Sequence, residues 1–363
     1  YGNAGQSMAW TYDANGNVKT RIDAAGRITS HDYDAQNRLI KTTAPDGGVT
    51  WMGYDNEGQL QYVRDPRNLQ TNYTYSGFGN LLSQASPDSG TTTYAYDAAG
   101  RRSSQSMANG KVITFGWDAL DRMTQRTASG VTEWFTYDEG SFGRGRLTRI
   151  NDATGQTTYQ YNAAGELTQQ VNTVYGSSFT TSWGYDTAGR LTSMSYPSGL
   201  VLTYGWDAAG RLASIASNAG GVWSTMADSF LYQPATERRY AWRFGSQAAT
   251  LMSHDVDSRL SQIYSPGLHL LTYGYHTTNT LQSISDGVYP AQSSTFGYDP
   301  NDRLASVTRS GANQGFQWHT VGNRIGHQTV QGHVGLLYDP GANRLFNLNG
   351  ATSRSFGYDN AGN

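Results

Sequence analysis

Cysteine is absent from the chain, which removes disulfides, thiolate metal sites and a cysteine nucleophile. Charge is scarce as well. Lys and Arg number 26 against 28 Asp and Glu, and with 15% charged residues and a net charge of -2 there is no field for nucleic acid or an anionic membrane. No run approaches the ~18 continuous apolar residues of a membrane helix, so membrane insertion by this segment is not expected. Helical spacing is missing too. What the chain has in quantity is 43 Gly and 25 Tyr, turn formers and β-forming aromatics. Its 37% hydrophobic content argues against disorder and leads one to expect a real buried core in 363 residues. The chain starts at Tyr1, so an upstream targeting signal stays open.

A self-similarity search finds aromatic anchors at Tyr12, Tyr33, Tyr54, Tyr75, Tyr96 and Trp117, each 21 residues after the last. The series loosens through Tyr137, Tyr161, Tyr185, Trp206, Tyr232, His254, Tyr275, Tyr298, Trp318 and Tyr338 to Tyr358, seventeen anchors in all. The best-kept unit is Trp206-Asp207-Ala208-Ala209-Gly210-Arg211-Leu212. Asp first and Gly fourth are the preferences of a type I turn closed by a left-handed residue, so each anchor marks a hairpin tip. Where Gly is missing, Asn37, Asn279, Asp121 or Asp302 takes its place, residues that tolerate positive φ.

In such a hairpin Asp207 opposes Arg211 and Trp206 opposes Leu212, which predicts one charged face and one apolar face. Leu202, Tyr204 and Trp206 alternate with Val201, Thr203 and Gly205, the period of a half-buried strand. Between anchors lies a second turn, as at Asp46-Gly47, Asp65-Pro66, Asn109-Gly110 and Pro197-Ser198-Gly199. Two turns per repeat leave two strands. The expected fold is all-β: about 17 antiparallel hairpins of about 21 residues across 1–363. Stretches near Phe142–Arg146, Val174–Thr181 and especially 222–250 break the period and are expected as loop insertions. Arg238, Arg239 and Arg243 beside Tyr240 and Trp242 read as arginines packed on aromatics rather than a nucleic-acid site. A β-propeller is the alternative, because two repeats span about one blade of ~42 residues. The turn motif, however, repeats at half that length.

The units Tyr96-Asp97-Ala98-Ala99-Gly100-Arg101 and Tyr185-Asp186-Thr187-Ala188-Gly189-Arg190-Leu191 resemble the YD (Rhs) repeats. The resemblance covers nearly the whole chain. It implies a spiralling hollow β-shell or cocoon, as in Rhs toxin effectors, the C components of Tc toxins and the barrel of teneurins. The implied partners are a C-terminal toxin cargo inside, the remaining shell repeats, and a secretion-system adaptor. The implied location is secreted or cell-surface, in a bacterial effector. About 34 strands make a sheet of ~4,000 Å², too small to enclose a compact cargo of ~130 residues, which needs ~6,500 Å². Both ends also fall inside motifs, and these two observations point to a fragment of a longer array whose free edges would tend to associate. The self-cleaving Asp-Pro-x-Gly-Leu motif of the family is not found. Asp339-Pro340-Gly341-Ala342-Asn343-Arg344-Leu345 starts similarly but reads as a hairpin tip one residue longer.

No catalytic, cofactor-binding or metal residue is nominated. The seven histidines lack metalloprotease spacing, and His327 and His333 stand six apart. Asp13-Ala14-Asn15-Gly16-Asn17 has the flavour of a calcium loop but lacks the distal Glu. The carboxylates sit opposite Arg, which holds them ionised and unsuited to acid/base work. An enzyme is therefore not expected. A structural shell around a toxin is the expected function, with cell-surface adhesion or glycan binding as the alternative, since rows of Tyr and Trp also suit sugar stacking and make a carbohydrate a candidate partner.

Overall fold

The computed structural model describes residues 7–363. Among them, 33 strands form one sheet. Each strand pairs antiparallel with its neighbours in sequence, from Ala9–Tyr12 with Val18–Ile22 to Leu345–Gly350 with Arg354–Ser355. No strand returns to close a blade, which rules out the propeller. The one helical element described is a 3-10 turn at Pro290–Gln292.

The local chemistry is that of the tips. Asp207 N–H donates to Arg211 O at 2.8 Å and Gly210 N–H to Asp207 O at 2.9 Å, with Gly210 at φ 80°. A register shift between Gly205 and Trp206 then sets Trp206 opposite Leu212. Asn37, Asp121, Asn279 and Asp302 take the same left-handed position, at φ 62°, 60°, 67° and 58°. The turns between anchors form where the sequence placed them, and are called return turns below.

Two expected loop insertions are strand instead. Ser177–Tyr185 runs nine residues and Val222–Tyr232 eleven, the latter bulged between Asp228 and Leu231 with Ser229 at φ 55°. When paired strands lengthen together, their backbone groups stay hydrogen-bonded, whereas a loop would have to satisfy them with water. The tip at 138–146, which holds Phe142–Arg146, is a loop as expected. In the basic cluster Arg243 pairs with Asp228 at 2.8 Å, and Arg239 lies over Trp242 at 4.5 Å.

Two further expectations fail. The described residues form no central core: the buried apolar ones are Ala227, Ala241, Leu336 and Ala342, and the accessible surface is 20844 Å². A compact monomer of this mass would expose ~14,000 Å². The sheet is a single layer, so rings that are half-buried by their neighbours have no second layer above them. Nor is one face charged. Alternation from Trp206 puts Tyr204, Leu202, Leu212 and Ile215 on one face and Gly205, Thr203, Ser214 and Ala216 on the other. Tyr185, Trp183, Leu191 and Met194 oppose Gly184, Ser182, Ser193 and Ser195 in the same way. One face is aromatic and the other small and polar. Charge is concentrated at the turns.

The ribbon closes on itself. Arg27, in a return turn near the start, pairs with Asp302, in a tip near the end, at 2.8 Å. The residues between them form 25 strands. At ~4.8 Å per strand these give a circumference of ~120 Å, a diameter of ~40 Å, and a bore of ~30 Å once side chains are allowed for. The molecule is a coil of single-layer sheet with its last hairpins lying on its first.

Candidate functional site

The features built repeatedly from the motif are a ladder joining each tip to the next and a seam joining the second coil to the first. In the ladder, Asp207 Oδ1 accepts the N–H groups of Ala209 and Arg211, and Oδ2 accepts Arg211 Nε, all at 2.9 Å. Asp34/Arg38, Asp97/Arg101, Asp118/Arg122, Asp186/Arg190, Asp255/Arg259 and Asp299/Arg303 repeat the arrangement. The guanidinium then reaches the following repeat. Arg101 Nη1 donates to Asp118 O at 2.7 Å and Arg303 Nη1 to His319 O at 2.9 Å. Arg122, Arg211 and Arg259 lie over the next anchor rings, Tyr137, Tyr232 and Tyr275, at 4.4, 4.8 and 4.7 Å.

The anchors point the other way. Twelve of them donate a hydroxyl or indole hydrogen to the backbone oxygen of the residue opposite the preceding anchor, as Tyr54 to Leu39 at 2.9 Å and Trp206 to Leu191 at 2.9 Å. Arg thus links forward and the ring links back. In a sheet without a second layer, these contacts supply the stiffness a core would give.

Glycine before the anchor is the part of the motif that sequence reasoning left unused. A Cβ at Gly184, Gly205, Gly274 or Gly297 would lie 2.5, 2.3, 2.6 or 2.5 Å from the cross-strand Oγ of Ser193, Ser214, Ser283 or Ser306. Its signal was present, as Gly-Tyr or Gly-Trp recurring before Asp.

At the seam, return turns of the first coil meet tips of the second. Arg27 is bidentate on Asp302, at 2.8 and 2.9 Å, and Nη1 also donates to Asp299 O at 3.2 Å. Arg303 donates to Asp46 at 2.9 Å. Arg67 donates to the backbone oxygens of Ala342 and Asp339 at 2.7 and 2.8 Å and to Asn343 Oδ1 at 2.9 Å. Asn343 in turn donates its side-chain amide to Asp65 and its backbone N–H to Asp88. Asn109 donates to Asp359 at 2.9 Å. Backbones approach closely here: a Cβ at Gly90 or Gly362, both at positive φ, would lie 2.7 Å from Asn360 O or 2.5 Å from Asp88 O. The segment 339–345, which began like a cleavage motif, is an elongated tip, with Asp339 N–H donating to Arg344 O at 2.9 Å.

Electrostatics follow from these contacts. Asp34, Asp118, Asp186 and Asp207 are held below the usual carboxylate range, first by the N–H of the Arg four residues on and then by its guanidinium. For Asp97 the Arg101 guanidinium is the larger cause. Burial pushes the anchor phenols of Tyr137, Tyr161, Tyr185 and Tyr275 up, so they stay protonated donors. Asp13 Oδ1 accepts the N–H groups of Asn15 and Asn17 at 2.9 Å, the geometry of a tip. His327 stacks on Phe316 at 4.9 Å, and burial pushes its pKa down. No group of three metal-ligating side chains occurs among the described residues.

The single-layer array of tip-locked hairpins has relatives. The RHS Repeat family model matches residues 12–49, 75–112, 143–178 and 180–222, and these four segments are RHS repeats. The same tip and return turn recur between and beyond those segments. Among solved structures, the TcdB2-TccC3 complex lacking its hypervariable C-terminal region is similar at 17% identity and TM-score 0.80, over 98% of this chain and 23% of that one. The TcdB2-TccC3 complex itself is similar at 17% identity and TM-score 0.78, over 93% and 23%. The Tc holotoxin pore of Photorhabdus luminescens is similar at 16% and 0.76, over 93% and 22%. These likenesses establish the shell fold, and the chain spans under a quarter of each neighbour's length. A comparison with curated proteins finds no match.

Proposed function

We propose that the coil is a wall segment of a larger shell that encloses a polypeptide cargo, in a bacterial toxin effector acting outside the producing cell. The seam carries this reading. Arg27, Arg303 and Arg67 bind one coil to the next, turning a ribbon into a continuous wall around a bore. The bore of ~30 Å is narrower than a compact domain of ~130 residues, whose diameter is ~36 Å, so the cargo is a smaller domain or a chain held less compactly. The role is structural, since the tip carboxylates are engaged by Arg and by backbone N–H groups. Residues 1–363 form one array, joined in the whole protein to further shell repeats and to an adaptor for secretion.

The test is protease protection of cargo in the full native chain. The intact shell should shield it, and Arg27→Glu with Arg67→Glu should expose it at the rate of cargo released by denaturant. Cargo cleaved equally fast in the unaltered chain would reject enclosure.

A further inference from the structure

In most repeats the residue that faces the anchor across the tip is Leu: Leu39 faces Tyr33, Leu60 faces Tyr54, Leu81 faces Tyr75 and Leu191 faces Tyr185. At the tip 97–101 that residue is Arg102, opposite Tyr96. It lays its guanidinium over the ring of Tyr94, 4.4 Å from the centroid. Beside it lies a hollow of about 450 Å³, lined by Tyr96, Arg101, Arg102, Phe115, Trp117 and Met123. That volume falls in the range of sites for small organic molecules. Three of the walls are aromatic rings and a fourth is a thioether, surfaces that suit a flat apolar body. The two arginines differ. Arg101 is held by Asp97 and Asp121, both at 2.8 Å, and donates to Asp118 O at 2.7 Å. Arg102 is half-buried and has no ion pair or side-chain hydrogen bond among the described residues, so its N–H donors are free for an acceptor from solution.

We propose that this hollow is a binding site for a small aromatic carboxylate, its ring held among Tyr96, Phe115 and Trp117 and its carboxylate on Arg102. Both halves of the ligand follow from the lining. The rings take the apolar body by stacking, and the planar guanidinium offers a carboxylate two parallel N–H donors. A Phe or Trp side chain borne on a polypeptide fills the hollow but brings no charge of its own to Arg102. A free aryl acid brings both parts. Tyr96, Phe115, Trp117 and Met123 share the anchor face of the sheet, so the site lies on a face rather than a rim, and coils stacked on either rim leave it uncovered.

Isothermal titration calorimetry of the 363-residue chain with indolepropionate tests this directly. The expected result is saturable binding with a dissociation constant at or below about 1 mM, the affinity within reach of a ligand of that size. Indolepropionamide, the same ring without the charge, should bind about tenfold more weakly. Arg102→Gln keeps the hollow and removes the charge, and should weaken binding of the acid by about the same factor of ten. Arg102→Leu installs the residue of the other repeats and fills the hollow, so binding should vanish while the melting temperature holds or rises. Arg144→Gln, at an exposed arginine of another tip, should change nothing. Absence of saturable binding to the unaltered chain overturns the proposal, as does equal affinity for acid and amide, or binding that survives Arg102→Leu.

Discussion

At the scale of single residues the repeat works through groups that each serve two neighbours. An anchor hydroxyl closes a backbone acceptor of the preceding repeat, while its ring lies under the arginine of that repeat's tip. Tyr54→Phe keeps the ring under Arg38, at 4.6 Å, but leaves Leu39 O without its donor. The expected cost is ~1 kcal/mol, the net value of one such bond. Tyr75→Phe should cost much less, because no such bond is described for the Tyr75 hydroxyl; urea midpoints of the two variants decide this. Acid acts on the same units. The tip carboxylates have folded pKa values below the unfolded value of about 3.9, so their stabilisation is complete above that pH and fades as pH falls through the folded values. Thermal midpoints should be flat from about pH 7 to 5 and fall below about pH 4, and Asp207→Asn should make the acid limb shallower. An unchanged midpoint at about pH 3 would show that the ladder contributes little.

At the scale of the hairpin, the tips were legible in the sequence because local turn chemistry sets them: Asp207, Gly210 and Leu212 define a geometry that needs no distant partner. The faces were legible only in part. Asp207 and Arg211 suggested a charged face, yet they belong to the tip, and the strand behind them offers Gly205, Thr203 and Ser214. Extra residues at 222–232 looked like a loop because sequence spacing cannot tell a lengthened strand pair from an insertion. Gly205 gives this scale its prediction. A methyl group on Gly205 would sit 2.3 Å from the Oγ of Ser214, so Gly205→Ala should destabilise by ~1–2 kcal/mol, and Ser214→Ala should recover most of that loss. Equal effects in both backgrounds, measured by a double-mutant cycle in urea, would place the strain elsewhere.

At the scale of the molecule, the absence of a core and the presence of a seam were both hidden from sequence reasoning. Hydrophobic content of 37% suggested a buried interior, but in this chain the apolar residues are half-buried against their neighbours along one layer. The seam joins residues such as Arg27 and Asp302 across 25 intervening strands, a contact decided by accumulated twist and coiling rather than by local pattern. Arg27, Asp46 and Arg67 in the early return turns become meaningful only once the second coil is seen above them.

The ribbon coils until its last hairpins lie on its first, and the lack of native cysteine makes a direct measurement of that contact simple. Ala25 and Thr277 line one cavity at the seam although 23 strands separate them in sequence. Spin labels on Ala25→Cys and Thr277→Cys, read by double electron-electron resonance, should give one short, narrow distance. A distance beyond the range of the method, as 23 uncoiled strands at ~4.8 Å would produce over ~110 Å, would contradict the coil.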